Sequence, residues 1–281
     1  MILKTLKASA STFARKFSRL SNDRLHRPAL DVSEMNRIHG DAPIGECLEI
    51  LFDTPQFGPH RYIDLFLQAM KETGTAKTRS NLFHRASAGV NLAKFFLYSL
   101  DIEGARAECG VFRGASALLL SRIARIKRPD FAGADYFLID SFEGFGEENE
   151  HDKVLWQGDD SNTEFRTAFP AGGIGTSLET LQHTLREFPG VTIHKGWIPE
   201  VFAKLPETRW SFVYLDVDIY EPTLAGLEYF YPRMSPGGVI ITDDFGHPMT
   251  PGVRKAWEQY CVANEVPYIV LDNLQAVILR Q

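Results

Sequence analysis

From residue 105 onward, short apolar segments with the composition of β-strands alternate with longer segments of helical periodicity. Such alternation is typical of repeated βαβ units, in which right-handed crossovers place successive strands parallel in one sheet. The pattern therefore predicts an α/β protein built on one large, mostly parallel sheet. Seven strands are expected, near residues 105–111, 136–142, 191–197, 211–218, 237–243, 267–272 and 275–280.

The last two of these strands are separated only by residues 272–275. A parallel crossover needs roughly a dozen residues or more, so this pair is predicted to form an antiparallel hairpin. Because a dinucleotide-binding sheet usually remains parallel, the hairpin disfavours that class of protein.

The chain before the sheet has a helical pattern, and residues 1–100 are predicted to form an N-terminal helical region. Its first 22 residues contain five basic and no acidic residues, with apolar positions at helical spacing, which indicates an amphipathic basic helix. Three roles stay open for this helix: docking on its own domain or on a sister subunit, contact with a membrane surface, or organellar targeting. Docking on a sister subunit would make the protein a homo-oligomer.

Composition argues against several classes of function. A net charge of −6, with no long basic block beyond the first twenty residues, disfavours nucleic acid as a partner. The three cysteines, Cys47, Cys109 and Cys261, are far apart and form no CxxC pair, so free thiols and a reducing, cytoplasmic location are expected. No run of eighteen apolar residues occurs, so no transmembrane segment is predicted.

Four aspartates stand at the downstream ends of two predicted strands: Asp216 and Asp218 after the fourth, Asp243 and Asp244 after the fifth. Ligands of open α/β sheets collect beyond such carboxyl ends. Carboxylates about 4 Å apart repel by roughly 1 to 4 kcal/mol, so a proton or a cation must offset them. An all-oxygen cluster favours a hard divalent ion such as Mg²⁺ over zinc or copper. Helix capping is the alternative, but it explains one aspartate per strand and not two.

Candidate cofactor residues follow the first two strands. Gly110 and Gly114 would let the backbone approach a ligand closely, or they simply allow a tight strand-to-helix turn. Glu108, at the end of the first strand, is placed to meet a cationic amine. Asp140 ends the second strand, where an acid accepts hydrogen bonds from ribose hydroxyls.

Gly196 and Trp197 follow the third strand. The glycine allows close approach, and the indole either borders an adenine or packs in the core. A nicotinamide cofactor and S-adenosylmethionine (SAM) both fit these residues, although the glycine spacing is not the GxGxxG of a pyrophosphate-binding turn.

A long acidic stretch covers residues 145–175. Loops of this length inside a compact domain are usually lids, binding loops or disorder. Two interpretations stay undecided: the stretch is a lid over the site, or it is a solvated insertion without a direct role.

Six short runs stand out together in the sequence, at residues 108–114, 140–144, 215–223, 229–233, 235–238 and 242–247. In this order they resemble the pattern of the macrocin O-methyltransferase family, whose members methylate natural-product sugars. The aspartate-rich runs are the most specific part of the resemblance, which covers about residues 78 to 260.

This resemblance implies a Rossmann-like class I methyltransferase fold over residues 101–281, with the lid as an insertion. It implies SAM as methyl donor and Mg²⁺ held by Asp216, Asp243 and Asp244, with the catalytic base being Asp218 or Asp216 itself. One departure is Phe245, where the family often has tyrosine. The implied cofactor-lining residues are Glu108, Gly110, Gly114, Asp140, Ser141 and Phe142, with Arg79 as a further candidate.

The activity implied is Mg²⁺-dependent transfer of a methyl group from SAM to a hydroxyl of a small molecule, a sugar or another natural product. A catechol-like phenol is the alternative acceptor. A nicotinamide-dependent oxidoreductase and a non-catalytic SAM-binding or scaffold protein are the alternatives from other classes.

Overall fold

The computed structural model describes residues 62–75, 82–147, 149–157 and 163–281. The predicted basic helix of residues 1–22, the rest of residues 1–60 and Arg79 lie outside this described part. Within it, all seven predicted strands are present in a single sheet, which confirms the α/β prediction. In chain order the described strands are β1 (Ala105–Cys109), β2 (Tyr136–Asp140), β3 (Lys153–Gln157), β4 (Thr163–Thr167), β5 (Thr192–Lys195), β6 (Trp210–Leu215), β7 (Met234–Thr242), β8 (Ile269–Val270) and β9 (Ala276–Leu279).

The large sheet has the strand order β5-β2-β1-β6-β7-β9-β8. Its first five strands are parallel, with β1 paired to both β2 and β6. β9 runs antiparallel to β7 and to β8, which confirms the predicted terminal hairpin. From β1 the chain builds the sheet first toward β5, then returns to add β6 on the other side. Ligand crevices of open sheets lie at such a reversal, here between β1 and β6.

Helices connect or cover the strands. Among the described residues, no helix is both long enough and apolar enough to cross a membrane. The described α-helices are α1 (Tyr62–Glu72), α2 (Leu82–Ser99), α3 (Ala115–Lys127), α4 (Leu178–Thr184), α5 (Tyr220–Phe230) and α6 (Pro251–Ala263), and short 3₁₀ helices span Glu150–Asp152, Glu200–Lys204 and Tyr231–Arg233.

The two faces of the sheet bury two separate cores. Successive residues of β6 alternate between them, with Phe212 in the core under α1, α2 and α3, and Val213 in the core under α5 and α6. This is the two-residue period of a strand covered on both faces. In the first core, the ring of Phe96 from α2 lies 5.2 Å from Phe212 and 5.1 Å from Tyr136. Helix α2 thus packs on the sheet itself and α1 packs against α2 and α3, without a break in packing near residue 100.

The stretch at residues 145–175 contains a β-hairpin. After the 3₁₀ helix Glu150–Asp152, β3 and β4 pair antiparallel as a separate two-stranded sheet. The two ends of the stretch meet where Phe145 bridges Ala171 and the N–H of Gly172 donates to the Phe145 carbonyl at 2.8 Å. We call residues 145–175 the insertion, because it leaves and rejoins the domain at one place.

Candidate functional site

A cavity of about 770 Å³ opens at the carboxyl ends of the central strands. Four parts of the chain surround it: α1 and α2, the turns after β1 and β2, the segments after β6 and β7, and the insertion. Lining residues from each part include Phe66, Met70 and Arg85; Gly110, Phe112, Asp140 and Ser141; Asp216, Asp218, Asp243 and Asp244; and Phe145, Phe169 and Ile174.

The aspartates that follow β6 and β7 come together at one wall of this cavity. Carboxylate oxygens of Asp216, Asp218 and Asp244 all lie within 4.8 Å of one another. Asp243 also lines the cavity, but it is outside that group of three, and its Oδ1 accepts a hydrogen bond from the side chain of Gln275. The structure therefore groups two of the three expected metal ligands, Asp216 and Asp244, with Asp218, which was expected as the base in alternative to Asp216.

The arrangement arises from how the chain leaves β6. The strand ends at Leu215, so Asp216 and Asp218 do not owe their positions to strand alternation. Asp218 has a φ of 59°, and the Ile219 N–H donates to the Val217 carbonyl at 2.7 Å, which makes a γ-turn centred on Asp218. Left-handed backbone at a residue other than glycine is strained by about 1 to 2 kcal/mol. This turn directs the Asp218 carboxylate toward Asp244.

Asp216 is fixed by its neighbours on the sheet. The hydroxyl of Tyr214 donates to Asp216 Oδ2 at 2.8 Å, and the Asp216 N–H donates to the Cys109 carbonyl at 2.9 Å. Gly110 has a φ of 82°, and a Cβ atom there would overlap the carbonyl oxygen of Asp216. Glycine is therefore required at Gly110 by the close approach of the two strand ends as well as by its own backbone conformation.

Burial and mutual repulsion make the cluster electrostatically unfavourable without a cation. Burial, and then the charges of the other aspartates, raise the pKa of Asp216 and Asp244 well above the usual range. The pKa of Asp218 is raised by burial and by Asp243, while Arg85 opposes the shift. Asp244 Oδ2 is buried and has no hydrogen-bond partner among the described residues. An oxygen-only donor set with an unsatisfied buried oxygen fits a hard divalent cation.

The capping alternative fails for both strand ends. The N-cap of α5 is Ile219 and that of α6 is Thr250, and neither makes a side-chain capping bond. The first N–H of α5, that of Tyr220, instead donates to Asp152 Oδ1 of the insertion at 2.8 Å. Asp218 and Asp244 therefore do not serve as caps.

Asp140, the expected ribose acceptor, lines the cavity with its carboxylate largely engaged by backbone. Its Oδ2 accepts from the N–H groups of Val111 at 2.8 Å and Phe112 at 3.0 Å, and its Oδ1 accepts from Phe142 at 2.7 Å. A carboxylate offers about four acceptor positions, so three are used for shaping the turns after β1 and β2. Ser141 shapes the same turn, with its hydroxyl donating to the Gly144 carbonyl at 2.9 Å.

Glu108, Gly114 and Phe142 are not among the described residues that line the cavity. Glu108 is fully buried, and its carboxylate accepts from Ser116 at 2.5 Å and Tyr136 at 2.6 Å. Burial raises its pKa to about 7, which its two hydroxyl partners oppose. The structure thus places Glu108 where it supports the β1–α3 turn, rather than where it would meet an amine in the cavity.

Of the two remaining expected glycines, Gly196 lines the cavity and Gly114 does not, and both are closely packed. A Cβ at Gly114 would lie 2.5 Å from Leu181 of α4, and one at Gly196 would lie 3.0 Å from Val201. Trp197 lines the cavity and is 40% exposed, so it is not a core side chain.

Sequence reasoning missed three residues that contribute to the site. Arg85 lines the cavity and acts electrostatically on Asp218, while Gln275 contacts Asp243 and Asp152 holds the insertion against α5. A lone arginine, glutamine or aspartate carries no motif. Only their contacts in the folded chain distinguish them.

Comparison with known proteins supports the motif resemblance. A family model described as Macrocin-O-methyltransferase (TylF) matches residues 75–279. The Mycinamicin III 3''-O-methyltransferase of Micromonospora griseorubida is 28% identical over 163 residues, 57% of this chain and 61% of that protein. The 8-demethyl-8-(2,3-dimethoxy-alpha-L-rhamnosyl)-tetracenomycin-C 4'-O-methyltransferase of Streptomyces olivaceus is 29% identical over 148 residues, 51% of this chain and 54% of that protein. The chain therefore spans less than two thirds of the length of these two curated relatives.

Among solved structures, that of the O-methyltransferase NovP is similar, with a TM-score of 0.60 and 20% sequence identity. The likeness covers 78% of this chain and 98% of that one. At this identity it concerns the fold alone, and it confirms the class I methyltransferase fold expected from the sequence.

Proposed function

The chain belongs to the macrocin O-methyltransferase family, and on this premise we propose that it transfers a methyl group from SAM to a hydroxyl of a sugar or another natural product. The observation that carries the proposal is the meeting of three carboxylates at one wall of the cavity beside the β1–α3 turn. Membership of this family removes the nicotinamide-dependent oxidoreductase as an alternative. It does not by itself separate a sugar hydroxyl from a phenol.

The part of the cavity nearest β1 and β2 is the proposed SAM site. Gly110 and Phe112 line it after β1, Asp140 and Ser141 after β2, and Trp197 after β5. Asp140 holds the two turns in register through three backbone N–H groups, which keeps the surface pre-formed for a ligand. The chemistry that bound SAM supplies is a methyl group activated by a sulfonium. The role of the protein is to orient that group toward the aspartates.

The aspartate cluster is the proposed Mg²⁺ site, with Asp216, Asp243 and Asp244 as ligands. Three observations support a cation: an all-oxygen donor set, the raised pKa values of Asp216 and Asp244, and the unpartnered Oδ2 of Asp244. The carboxylates that lie within 4.8 Å of one another include that of Asp218 and not that of Asp243. This grouping favours a competing assignment, in which Asp218 replaces Asp243 as the third ligand. When bound, the cation supplies a lower pKa for an acceptor hydroxyl.

Asp218 is the proposed general base. It lies at the cavity wall, and its raised pKa brings it toward the working range of a base at neutral pH. In the reaction, the acceptor oxygen forms a bond to the methyl carbon as the carbon–sulfur bond breaks, and the hydroxyl proton passes to an Asp218 carboxylate oxygen. The products are a methyl ether, S-adenosylhomocysteine (SAH) and one proton on the protein. Holding the two reacting atoms about 3 Å apart and in line supplies several kcal/mol of the barrier.

The insertion is proposed to exclude water from this reaction. Phe145 and Phe169 lie 5.0 Å apart between ring centroids, and both line the cavity together with Ile174. A cover of this kind strengthens the electrostatic interactions beneath it.

A sugar hydroxyl is the favoured acceptor. The printed name of the Streptomyces olivaceus relative includes a rhamnosyl group, which supports a glycosyl acceptor here. A sugar hydroxyl has a high pKa, so it gains more than a phenol from a cation and a base placed together.

One assay tests these proposals together. The full chain is incubated with methyl-labelled SAM and Mg²⁺, with a panel of rhamnosylated compounds in one arm and catechols in the other. We expect labelled methyl ether from a rhamnoside, and its loss after treatment with a chelator. Transfer to a catechol alone would move the acceptor class to phenols. Full transfer to a rhamnoside after chelation would remove the metal from the mechanism.

A further inference from the structure

A buried amide of the terminal hairpin contacts the carboxylate of Asp243. Gln275 stands just before β9 in the terminal hairpin and is 0% exposed. Its Nε2 donates to Asp243 Oδ1 and to the Ala88 carbonyl at 3.3 Å. Its Oε1 accepts from Asn91 Nδ2 at 2.9 Å and from Asn273 Nδ2 at 2.7 Å. Helix α2, the hairpin turn and the end of β7 therefore meet at one side chain.

The contacts determine which way the amide points. Two amide donors, from Asn91 and Asn273, face the Gln275 oxygen, and two acceptors face its nitrogen. A reversed amide would place N–H groups against N–H groups and its oxygen against the Asp243 carboxylate. Because that arrangement would leave four polar contacts around the buried Gln275 side chain unsatisfied, the N–H end remains directed at Asp243.

A neutral donor suits a carboxylate that is to bind a cation. A lysine or arginine at this place would compensate the charge of Asp243 and so compete with a metal. An amide fixes the orientation of the carboxylate and leaves its negative charge in place. Asp216, at the end of the neighbouring strand, is held in the same way by the hydroxyl of Tyr214 at 2.8 Å.

We propose that Gln275 is a positioning residue for Asp243, which it holds in the orientation that binds a divalent cation. The inference rests on the proposed metal site and extends it to the terminal hairpin. Groups that support metal ligands in this way typically change metal affinity by about 10-fold to 100-fold when they are replaced. In this proposal the terminal hairpin both completes the sheet and orients a ligand of the metal site.

The test compares metal binding and cofactor binding in the full chain. Gln275→Met keeps the length of the side chain and removes the donor. Calorimetric titration with Mn²⁺ is expected to show about 10-fold to 100-fold weaker binding than wild type. SAH affinity, measured in EDTA, is expected to stay within about twofold, because Gln275 is not among the described residues that line the cavity.

A matched control comes from the same hairpin. Val277 is 1% exposed and packs in the core on the α1–α3 face, so Val277→Ala removes buried packing without removing a donor. Its Mn²⁺ affinity is expected to equal that of wild type. Equal weakening in both variants would assign Gln275 a merely structural role and overturn the proposal.

The remaining outcomes separate this inference from the proposed function. If wild type binds Mn²⁺ and folded Gln275→Met binds it equally well, the positioning role is wrong and the metal site stands. If wild type itself binds no Mn²⁺, both are wrong. Should Gln275→Met fail to fold, Asn91→Ala removes one of the donors that orient the amide. That variant is expected to bind Mn²⁺ more weakly, and unchanged affinity would overturn the proposal.

Discussion

The carboxylate of Asp152 accepts a hydrogen bond of 2.8 Å from the backbone N–H of Tyr220, a residue 68 positions later in the chain. Tyr220 is the first residue of α5, and it lies two residues after Asp218. A second contact lies beside it, since Asn149 Nδ2 donates to Glu221 Oε1 at 2.8 Å. The insertion is thus attached to the segment that carries the proposed base.

Removing this attachment should loosen the insertion. Asp152→Ala deletes the acceptor for the α5 N-terminus, and a lost cap costs about 1 kcal/mol. We expect faster proteolytic cleavage between residues 153 and 167, together with a higher KM for the acceptor. Asp152→Asn retains an oxygen for the Tyr220 N–H and should be cleaved at the wild-type rate. Identical cleavage of wild type and Asp152→Ala would contradict the attachment.

Stability should fall with rising pH because of Glu108. Its pKa lies at about 7 in the folded protein against an ordinary value of 4.5, so the folded state holds a proton that the unfolded chain releases. The resulting stabilisation is complete below pH 4.5 and is lost as the pH rises through about 7. Its full size is about 3 kcal/mol. Urea unfolding at pH 5 and pH 8 in EDTA should show a larger loss for wild type than for Glu108→Gln, and parallel losses would contradict the prediction.

Replacing the proposed base, Asp218, should affect proton transfer, whereas replacing the proposed ligand Asp244 should affect cation binding. Asp218→Asn is expected to lower kcat by about 100-fold to 10,000-fold, the usual effect of losing a general base, while Mn²⁺ affinity stays near that of wild type. Asp244→Asn should instead abolish most of the Mn²⁺ binding. A large loss of Mn²⁺ affinity in Asp218→Asn would favour the competing assignment, in which Asp218 is a ligand.

Gly110→Ala should disrupt the meeting of β1 and β6. The added Cβ would overlap the Asp216 carbonyl, and the φ of 82° is itself unfavourable for alanine. Gly172→Ala is the matched control, because Gly172 has a φ of 74° and nothing lies within 4 Å of an added Cβ. Thermal unfolding should show a loss of about 1 kcal/mol for Gly172→Ala and a loss several times larger for Gly110→Ala. Equal losses of stability in the two variants would mean that the backbone around Gly110 and Asp216 shifts enough to accommodate the added Cβ at no cost, and would contradict the prediction.

The strands and their order of appearance were predictable because they depend on local pattern. The segment of β6 from Phe212 to Leu215 is continuously apolar, since its two faces lie against two cores. The terminal hairpin followed from the short connection at residues 272–275, which admits only an antiparallel partner.

Details of the site were less predictable because they depend on where the backbone turns. The sequence places Asp216 and Asp218 at a strand end but does not give their orientation, because β6 ends at Leu215 and a γ-turn aims Asp218. The expectation that Asp140 serves ribose did not foresee its three backbone donors, since these require the folded turns after β1 and β2. The contact between Gln275 and Asp243 crosses 32 positions of sequence, and no local pattern encodes it.

The bridge between Phe145 and Ala171 closes the insertion at its base. Because both ends of the segment are joined there, residues between them can be lengthened, shortened or exchanged while the parallel strands keep their spacing. Asp152 and Asn149 lie within the segment and contact the start of α5, so a donor hairpin joined at Phe145 and Ala171 would have to keep both contacts to leave that helix in place. The base of the insertion and the parallel sheet are in that sense structurally separable units.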